Sequence, residues 1–213
     1  GIDLSINEGE IVSLLGRNGV GRSTFIKSIM GMVKSEGSVL FYNKEILGRP
    51  IHEIANLGIG YVSENRDIFP DLTVKENLEL GKKENKYGIK WNLEELFDLF
   101  PNLKKRIDVP GGVLSGGEQQ MLTICRSLLG SPNLIMIDEP TEGLSPQMVD
   151  NVENLLKRIS EKKVSILLVE QKLAIAFNLS KRLYVMGHGK VVHEGEVSDI
   201  KNNTKIIKEW LEV

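Results

Sequence analysis

The sequence predicts an α/β fold with a mainly parallel sheet and an inserted α-helical subdomain. Short apolar runs typical of buried strands alternate with segments whose apolar residues recur at three- and four-residue spacings. Between residues 66 and 128 only the helical spacing is found. The 213 residues are 41% hydrophobic, enough for one sizeable core. We therefore expect one domain over residues 1–213, with the inserted subdomain at residues 66–128.

These two periodicities place the elements along the chain. We expect strands at residues 11–15, 38–43, 58–64, 133–138 and 163–170, and helices at residues 24–30 and 145–162. Within the insertion, residues 73–81 and 92–100 have helical spacing. Near the end, residues 183–195 are predicted to form a hairpin that turns at Gly187–Gly189, with helical turns continuing to Val213.

The composition excludes several classes of protein. The 27 basic and 29 acidic residues give a formal charge of −2, so no net field favours nucleic acid or an anionic lipid surface. The longest apolar runs fall far short of the roughly 20 residues that a membrane helix needs, and we expect a chain that does not span a bilayer. Cys125 is the single cysteine, which excludes an internal disulfide and predicts a buried thiol in a reducing compartment.

The first chemical signal is the stretch SLLGRNGVGRSTFIKSIMG, residues 13–31. It matches the phosphate-binding pattern G-x-x-x-x-G-K-[ST] at every position but one, because Arg22 stands where lysine is expected. Between a strand and a helix, such a loop presents backbone N–H groups and the positive end of the helix to phosphate. Ser23 is then a hydroxyl ligand for Mg²⁺, and Thr24 donates to a phosphate oxygen. The alternative is an ordinary strand-to-helix turn with capping hydroxyls.

The second signal is the pair Asp138 and Glu139 at the end of the predicted strand NLIMID. Ligands bind at the carboxyl edge of a parallel sheet, where this strand ends. There Asp138 suits a hold on Mg²⁺ through water, and Glu139 suits polarising an attacking water. The alternative is that one of the two carboxylates points into solvent, because neighbouring residues on a strand face opposite ways.

The third signal is LSGGEQQ, residues 114–120. Ser115 and Glu118 have the spacing of a capping box, which many ordinary helices use. A capping box does not explain Gly116 and Gly117, since glycine is poor inside a helix but exposes backbone N–H groups at a helix start. We therefore predict a second helix terminus that faces phosphate.

Together these motifs resemble the ATP-binding cassette family, in order and spacing and over essentially the whole chain. The stretches GRNGVG, IFPDLTVKENL, LSGGEQQML, DEPTEGLSP and LLVEQK are similar to the smaller ATPase subunit of branched-chain amino acid importers and to its relative in urea importers. The resemblance implies a P-loop NTPase core with ATP and Mg²⁺ as ligands. It also implies a dimer in which each ATP lies between the glycine loop of one cassette and the Ser-Gly-Gly helix of the other.

Site residues follow from the resemblance one by one. It implies that the phosphates are bound by Gly16, Asn18, Gly19, Gly21, Arg22, Ser23 and Thr24, and that Ser115, Gly116 and Gly117 reach the γ-phosphate of the partner. Ser23 and Asp138 take the metal role, and Glu139 is catalytic. Glu64 stands where most cassettes have a metal-sensing glutamine, and its carboxylate can still meet nucleotide-bound Mg²⁺ or water. Gln171 replaces the catalytic switch histidine, with an amide that donates a hydrogen bond but carries no charge.

Partners and location are also implied by the resemblance. It implies a second ATPase subunit, in this subgroup a different chain, and transmembrane permease subunits that work with a solute-binding protein. We then expect a cytoplasmic chain, peripheral on the cytoplasmic face of the cell membrane, with no nucleic acid partner. Ile68, Phe69 and Pro70 are candidates for a groove that receives a short cytoplasmic permease helix. The alternative is that they pack the insertion onto the core.

Two departures from the subgroup bear on activity. The family begins with an extra strand and an adenine-stacking aromatic, whereas here no aromatic precedes Phe25, and the chain starts at Gly1 without an initiating methionine. We therefore expect an N-terminally incomplete domain, in which losing a base stack of about 1–3 kcal/mol weakens ATP binding roughly tenfold to a hundredfold. The second departure is Arg22, whose planar fork is bulkier than the ammonium of lysine and directs its donors differently.

The predicted function is that of an ATP-binding and ATP-hydrolysing subunit of an importer, energising uptake of branched-chain amino acids or related small polar solutes. Two alternatives stay open. One is a binding-only cassette, because loss of one well-aimed transition-state donor commonly costs about 10²–10³ in rate. The other is the ATPase of a urea importer. Soluble cassettes that act on ribosomes or DNA are disfavoured, since they carry tandem cassettes or long coiled-coil insertions.

Overall fold

The structure of the protein, a computed structural model, describes residues 1–83, 85 and 88–211. Within these residues the strands are β1 Ile11–Leu15, β2 Leu40–Phe41, β3 Lys44–Glu45, β4 Ile59–Val62, β5 Leu134–Asp138, β6 Ser165–Val169, β7 Arg182–Gly187 and β8 Lys190–Glu196. The helices are α1 Arg22–Ile29, α2 Ile51–Asn56, α3 Val74–Glu79, α4 Leu93–Leu99, α5 Pro101–Lys105, α6 Gly116–Leu128, α7 Pro146–Glu161, α8 Leu173–Leu179, α9 Val197–Asn202 and α10 Thr204–Ile206. A 3-10 turn at Gly111–Val113 precedes α6, and a π-helical turn at Ile207–Leu211 follows α10.

The main sheet has six strands in the order β4-β5-β6-β1-β7-β8. The first five are parallel, and β8 returns antiparallel to β7 as the predicted hairpin. The prediction of an α/β fold with a mainly parallel sheet is therefore confirmed. Because the parallel strands all end at one edge, the residues after β1, β4, β5 and β6 meet there. The glycine loop and the pair Asp138 and Glu139, the first two chemical signals of the sequence, lie at that edge.

Apolar packing covers both faces of the sheet. Alternate residues of β6 belong to different clusters: Ile166 and Leu168 face the helices α3, α4, α6 and α7, whereas Leu167 faces α1 and α2. This explains why the central strands are near-continuous apolar runs, since both faces are removed from water. None of the described helices has both the length and the apolarity for a membrane span.

Between β4 and β5 the described chain is helical. The first apolar cluster joins these helices to the sheet and to α7, so they share one core with it. The boundaries 66–128 of an inserted subdomain stay a prediction, and residues 84, 86 and 87 lie outside the described residues. Glu212 and Val213, to which the predicted C-terminal helical turns extend, also lie outside them.

One predicted strand is much shorter than expected. Residues 38–43 contribute only β2, which pairs with β3 in a separate two-stranded ribbon. Tyr42 and Asn43 both have positive φ, 47° and 60°, as a tight two-residue hairpin requires. The turn at Tyr42 and Asn43 reverses the chain, so β2 pairs with β3 and does not join the main sheet.

Candidate functional site

A polar cavity of about 380 Å³ opens at the carboxyl edge of the sheet. It is lined by Asn18, Gly19, Gly21, Arg22, Ser23, Thr24, Glu64, Glu139, Glu142 and Gln171. These residues come from the loop after β1, the start of α1 and the segments that follow β4, β5 and β6. The parallel sheet thus brings together segments that lie far apart in sequence.

The glycine loop has the geometry that its sequence predicts. A Cβ on Gly16 would stand 2.6 Å from the Met186 carbonyl oxygen, so only glycine fits between β1 and the end of β7. Gly21 has φ 105° and is the N-cap of α1, without a side-chain capping bond. The hydroxyls of Ser23 and Thr24 therefore line the cavity instead of capping this helix. The alternative of capping hydroxyls does not fit, and the backbone N–H groups at the start of α1 are available to an anion.

Arg22 is buried and points into the protein. Its Nη1 donates to the Glu170 carbonyl oxygen at 3.0 Å. Its Nη2 donates to Asn18 Oδ1 at 3.2 Å and to Glu139 Oε1 at 2.6 Å. Burial lowers the pKa of Arg22, and the neighbouring carboxylate of Glu139 opposes this shift. The guanidinium is thus engaged by the protein across the floor of the cavity.

Glu139 leaves the line of β5, because its φ is 45°. Both carboxylate oxygens are engaged: Oε1 accepts from Arg22, and Oε2 accepts from Gln171 Nε2 at 2.6 Å. Burial raises the pKa of Glu139, while the hydrogen bond from Gln171 and the charge of Arg22 lower it. Asp138 is buried as well, so the alternative that one of the two carboxylates points into solvent is wrong.

Asp138 ends β5 with one unsatisfied oxygen. Its Oδ1 is buried and has no hydrogen-bond partner among the described residues. Burial raises the pKa of Asp138, and a hydrogen bond from Ser23 opposes the shift. Buried polar atoms are nearly always paired, so an unpaired carboxylate oxygen beside a hydroxyl fits a metal ligand. Carboxylate and hydroxyl oxygens suit Mg²⁺, and the residues present fit that ion.

The Ser-Gly-Gly segment does not line the cavity of its own chain. Ser115 caps α6 in a complete capping box with Glu118, whose Oε2 accepts from the Ser115 backbone N at 2.9 Å and from its Oγ at 2.8 Å. A Cβ on Gly116 would stand 2.5 Å from Arg66 Nη1, and one on Gly117 would stand 2.8 Å from Met148. Both neighbours are long, flexible side chains that could shift, so packing within this chain does not by itself account for the two glycines.

Comparison with known proteins shows which family has these features. The sequence profile of the family described as "ABC transporter" matches residues 1–142, which hold the glycine loop, the Ser-Gly-Gly segment and both carboxylates. The chain belongs to the ABC transporter family. It is similar to the high-affinity branched-chain amino acid transport ATP-binding protein BraG of Pseudomonas aeruginosa, with 34% identity over 99% of this chain and 91% of that protein.

Other members differ in the transport system they serve. The lipopolysaccharide export system ATP-binding protein LptB of Haemophilus influenzae is 30% identical over 99% of this cassette and 89% of its own length. A solved dimeric ATP-binding cassette in a post-hydrolysis state bound to ADP and Pi superposes with a TM-score of 0.79 and 27% identity, covering 92% of this chain and 89% of that one. This cassette is thus an ATP-binding subunit of an ABC transporter.

Two carboxylates at or beside the cavity, those of Glu142 and Glu170, were not predicted from the sequence. Glu142 lines the cavity three residues after Glu139, and the only signal for it is its place in DEPTEG. Glu170 directly follows β6. Its carboxylate accepts a hydrogen bond from Thr141 Oγ1 at 2.6 Å, and its backbone carbonyl oxygen accepts one from Arg22. Burial raises the pKa of Glu170 to about 7. An acidic residue at the end of an apolar strand, directly before Gln171, was the available signal.

Proposed function

We propose that this cassette binds Mg-ATP in the cavity beside its glycine loop and hydrolyses it when two cassettes pair. The observation that supports this most is the meeting of three groups at one sheet edge: the glycine loop, the unpaired Asp138 oxygen and Glu139. The fold alone does not assign activity, because function depends on the site. Here the site contains donors for phosphate, oxygens for a metal and a carboxylate for water.

In this proposal some cavity residues bind the phosphates of ATP and others bind Mg²⁺. Backbone N–H groups from Gly16 to Thr24, with the Ser23 and Thr24 hydroxyls and Asn18, bind the phosphates. Ser23 and Asp138 would hold Mg²⁺, directly or through water, and Glu64, which lines the cavity, would add a further carboxylate for the ion or its water. When bound, Mg²⁺ supplies positive charge that offsets the phosphate oxygens. The lining residues include one guanidinium and three carboxylates. The positive charge of Mg²⁺ would therefore offset repulsion between these carboxylates and the phosphates.

In this proposal Glu139 acts as a base on the attacking water, and each of its engaged oxygens can still accept a second hydrogen bond. Arg22 donates to Oε1 and Gln171 donates to Oε2, and the positive charge of Arg22 makes Glu139 a weaker base. We therefore expect hydrolysis to be faster when Arg22 changes partner. A phosphate group offers Arg22 an alternative anion, and the Gln171 amide can donate to the same group. If Arg22 instead keeps Glu139, the cassette binds nucleotide without turnover. The ion pair is thus the observation that favours the binding-only alternative.

A partner cassette completes the site in this proposal. Ser115, Gly116 and Gly117 lie off their own cavity, so their backbone N–H groups serve phosphate only in a second cassette, which we expect to be a different chain. The similarity to BraG supports uptake of branched-chain amino acids or related small polar solutes, urea included, with a permease and a solute-binding protein. The cassette then works at the cytoplasmic face of the cell membrane. The similarity to LptB, which is named for an export system, supports the view that other subunits select the solute.

The candidate permease groove is only partly exposed. Phe69 is 49% exposed and Pro70 is exposed, whereas Ile68 packs against the core. Buried Asn77 fixes this loop, accepting from the Phe69 backbone N at 2.9 Å and donating to three carbonyl oxygens. We propose that Phe69 and Pro70 meet the permease and that Ile68 anchors the loop. Phe69→Ala should then keep its ATPase rate and lose membrane association. Leu40→Ala, an exposed apolar residue of β2, is the control, and unchanged association of the Phe69 variant would contradict the proposal.

The function is tested by Mg-ATP binding and steady-state hydrolysis, with the cassette alone over a concentration series and with its partner cassette. Wild type, Arg22→Lys and Glu139→Gln are compared. We expect all three to bind, Glu139→Gln not to turn over, and Arg22→Lys to turn over at least about tenfold faster than wild type. Equal rates for arginine and lysine would show Arg22 to be a competent phosphate ligand, and turnover by the lysine form alone would establish the binding-only cassette. Absence of binding in wild type would contradict the function itself.

A further inference from the structure

The π-helical turn Ile207–Leu211 lies against the phosphate loop. Arg17, inside that loop, donates from Nη2 to the Lys208 carbonyl oxygen at 3.1 Å. Trp210 presses on the end of β7, because a Cβ on Gly187 would stand 2.3 Å from two ring carbons of this tryptophan. The His188 ring meets the Trp210 ring edge-on, with centroids 5.5 Å apart. Turns of π-helix are rare and recur at functional sites.

The end of β7 is itself a wall of the phosphate loop. The Met186 carbonyl oxygen stands 2.6 Å from the position of a Cβ on Gly16, and the Met186 methyl stands 3.2 Å from that of one on Gly21. Strand β7 also pairs with β1, with Leu15 opposite Val185. Trp210 therefore packs on Gly187, the residue next to Met186. Because Met186 contacts Gly16 and Gly21, a displacement of the end of β7 would also displace these two glycines.

A shared apolar cluster makes the third connection. Trp210 and Leu211 pack against a cluster that contains Leu15, the residue directly before Gly16. The turn thus contacts the loop through Arg17, and it packs against Gly187 and against the apolar cluster that contains Leu15. Neither Arg17 nor Trp210 lines the cavity. Their effect on a bound phosphate therefore passes through the loop.

We propose that Trp210 and Arg17 are positioning residues that hold the phosphate loop in its binding shape and so set the affinity for nucleotide. This inference rests on the proposed function. A loop with three glycines has much conformational freedom to lose, and a loop that is already held pays less of that entropy when the ligand binds. The turn contributes no atom to the cavity, so it acts on binding and leaves the chemistry of the bound nucleotide unchanged.

The first test compares Trp210→Ala and Trp210→Phe with Ile206→Ala, a matched control from the same apolar cluster but in α10. Dissociation constants for MgATP and MgADP are measured by calorimetry, and thermal unfolding midpoints are recorded. We expect Trp210→Ala to weaken both nucleotides about tenfold, Trp210→Phe to restore most of this, and Ile206→Ala to lower the midpoint with affinity within about twofold of wild type. In a cycle with Arg17→Ala, the double variant should lose no more than the larger single loss. An unchanged affinity of Trp210→Ala, or an equal loss in Ile206→Ala, would overturn the proposal.

The second test reads the turn directly. The chain has two tryptophans, so 5-fluorotryptophan labelling gives two ¹⁹F resonances, and Trp210→Phe assigns the one from the turn. Saturating MgATP should shift the Trp210 resonance. A cassette that binds MgATP while this resonance stays in place would contradict the positioning role and leave the proposed function intact. A cassette that binds no nucleotide at all would instead contradict the proposed function.

Discussion

Arg22 and Glu139 form an ion pair, with 2.6 Å between Nη2 and Oε1 and with side chains only 4% and 9% exposed. The cation expected to face phosphate thus faces the carboxylate expected to face water. Removing one partner of a buried pair leaves an uncompensated charge, which costs more than the pair contributes. The same two residues therefore stabilise the nucleotide-free cassette and take part in the proposed ATP binding and hydrolysis.

We expect Arg22→Met to lower the free energy of unfolding by about 3 kcal/mol without nucleotide. Glu139→Gln should cost less, because Gln171 can still donate to the amide oxygen. The double variant should lose about 1–3 kcal/mol less than the two single losses together, since the residues are in contact. Urea unfolding measures the cycle, with Arg158→Met on the exposed Arg158–Glu161 pair as control. Additive losses would contradict an energetically coupled pair.

The charge of the cavity predicts a strong requirement for Mg²⁺. The lining residues include one basic side chain, Arg22, and three carboxylates, Glu64, Glu139 and Glu142, and Asp138 next to Glu139 is buried. ATP brings further negative charge, so its dissociation constant should be at least about tenfold higher in EDTA than in Mg²⁺. Asp138→Asn should remove most of this difference, whereas Asp150→Asn, an exposed residue of α7, should keep it. Fluorescent ATP titrations decide, and an Asp138 variant with the wild-type response to Mg²⁺ would exclude it as a metal ligand.

Ser115 has a structural and a proposed functional role, and two variants separate them. Ser115→Ala and Glu118→Ala both break the capping box, so each should cost about 1 kcal/mol of stability. Only Ser115→Ala should also lower hydrolysis by paired cassettes, by about tenfold or more. Urea unfolding and steady-state hydrolysis are compared for both. Equal activities of the two variants would show that the serine acts as a helix cap alone.

Glu170 predicts how stability depends on pH. Burial raises its pKa from the ordinary value of 4.5 to about 7, against the hydrogen bond from Thr141. Between these values the folded state keeps a proton that the unfolded state has lost, so stability falls as pH rises from 4.5 through 7. The contribution is on the order of 3 kcal/mol.

The measurement is the free energy of unfolding at pH 5 and pH 8. Glu170→Gln should flatten the decline, since its amide oxygen can still accept from Thr141. Asp138 and Glu139 have raised pKa values and act in the same direction, so the difference between variant and wild type is the quantity that counts. Glu161→Gln, at an exposed position, should leave the wild-type slope. An unchanged slope in Glu170→Gln would contradict the assignment.

Local signals predicted most of the fold. The apolar runs of β1, β5 and β6 and the glycine loop before α1 depend on neighbouring residues, so periodicity and turn chemistry reveal them. The brief β2 escaped because its apolar residues form a local ribbon instead of joining the sheet. Of the site, the sequence placed the glycine loop, Asp138 and Glu139 at one edge. It missed Glu142 and Glu170, which have no pattern of their own.

By itself, the sequence determined the elements, their order and the chemical groups at the sheet edge, because these follow from spacing along the chain. The tertiary structure alone decided which donor meets which acceptor. Arg22 and Glu139 are 117 positions apart, and Arg17 and Lys208 are 191 apart. A hydrogen bond requires its two heavy atoms within about 3 Å. Only the packing of β1 among β5, β6 and β7, with the C-terminal turn folded back onto β7, brings these atoms to that distance.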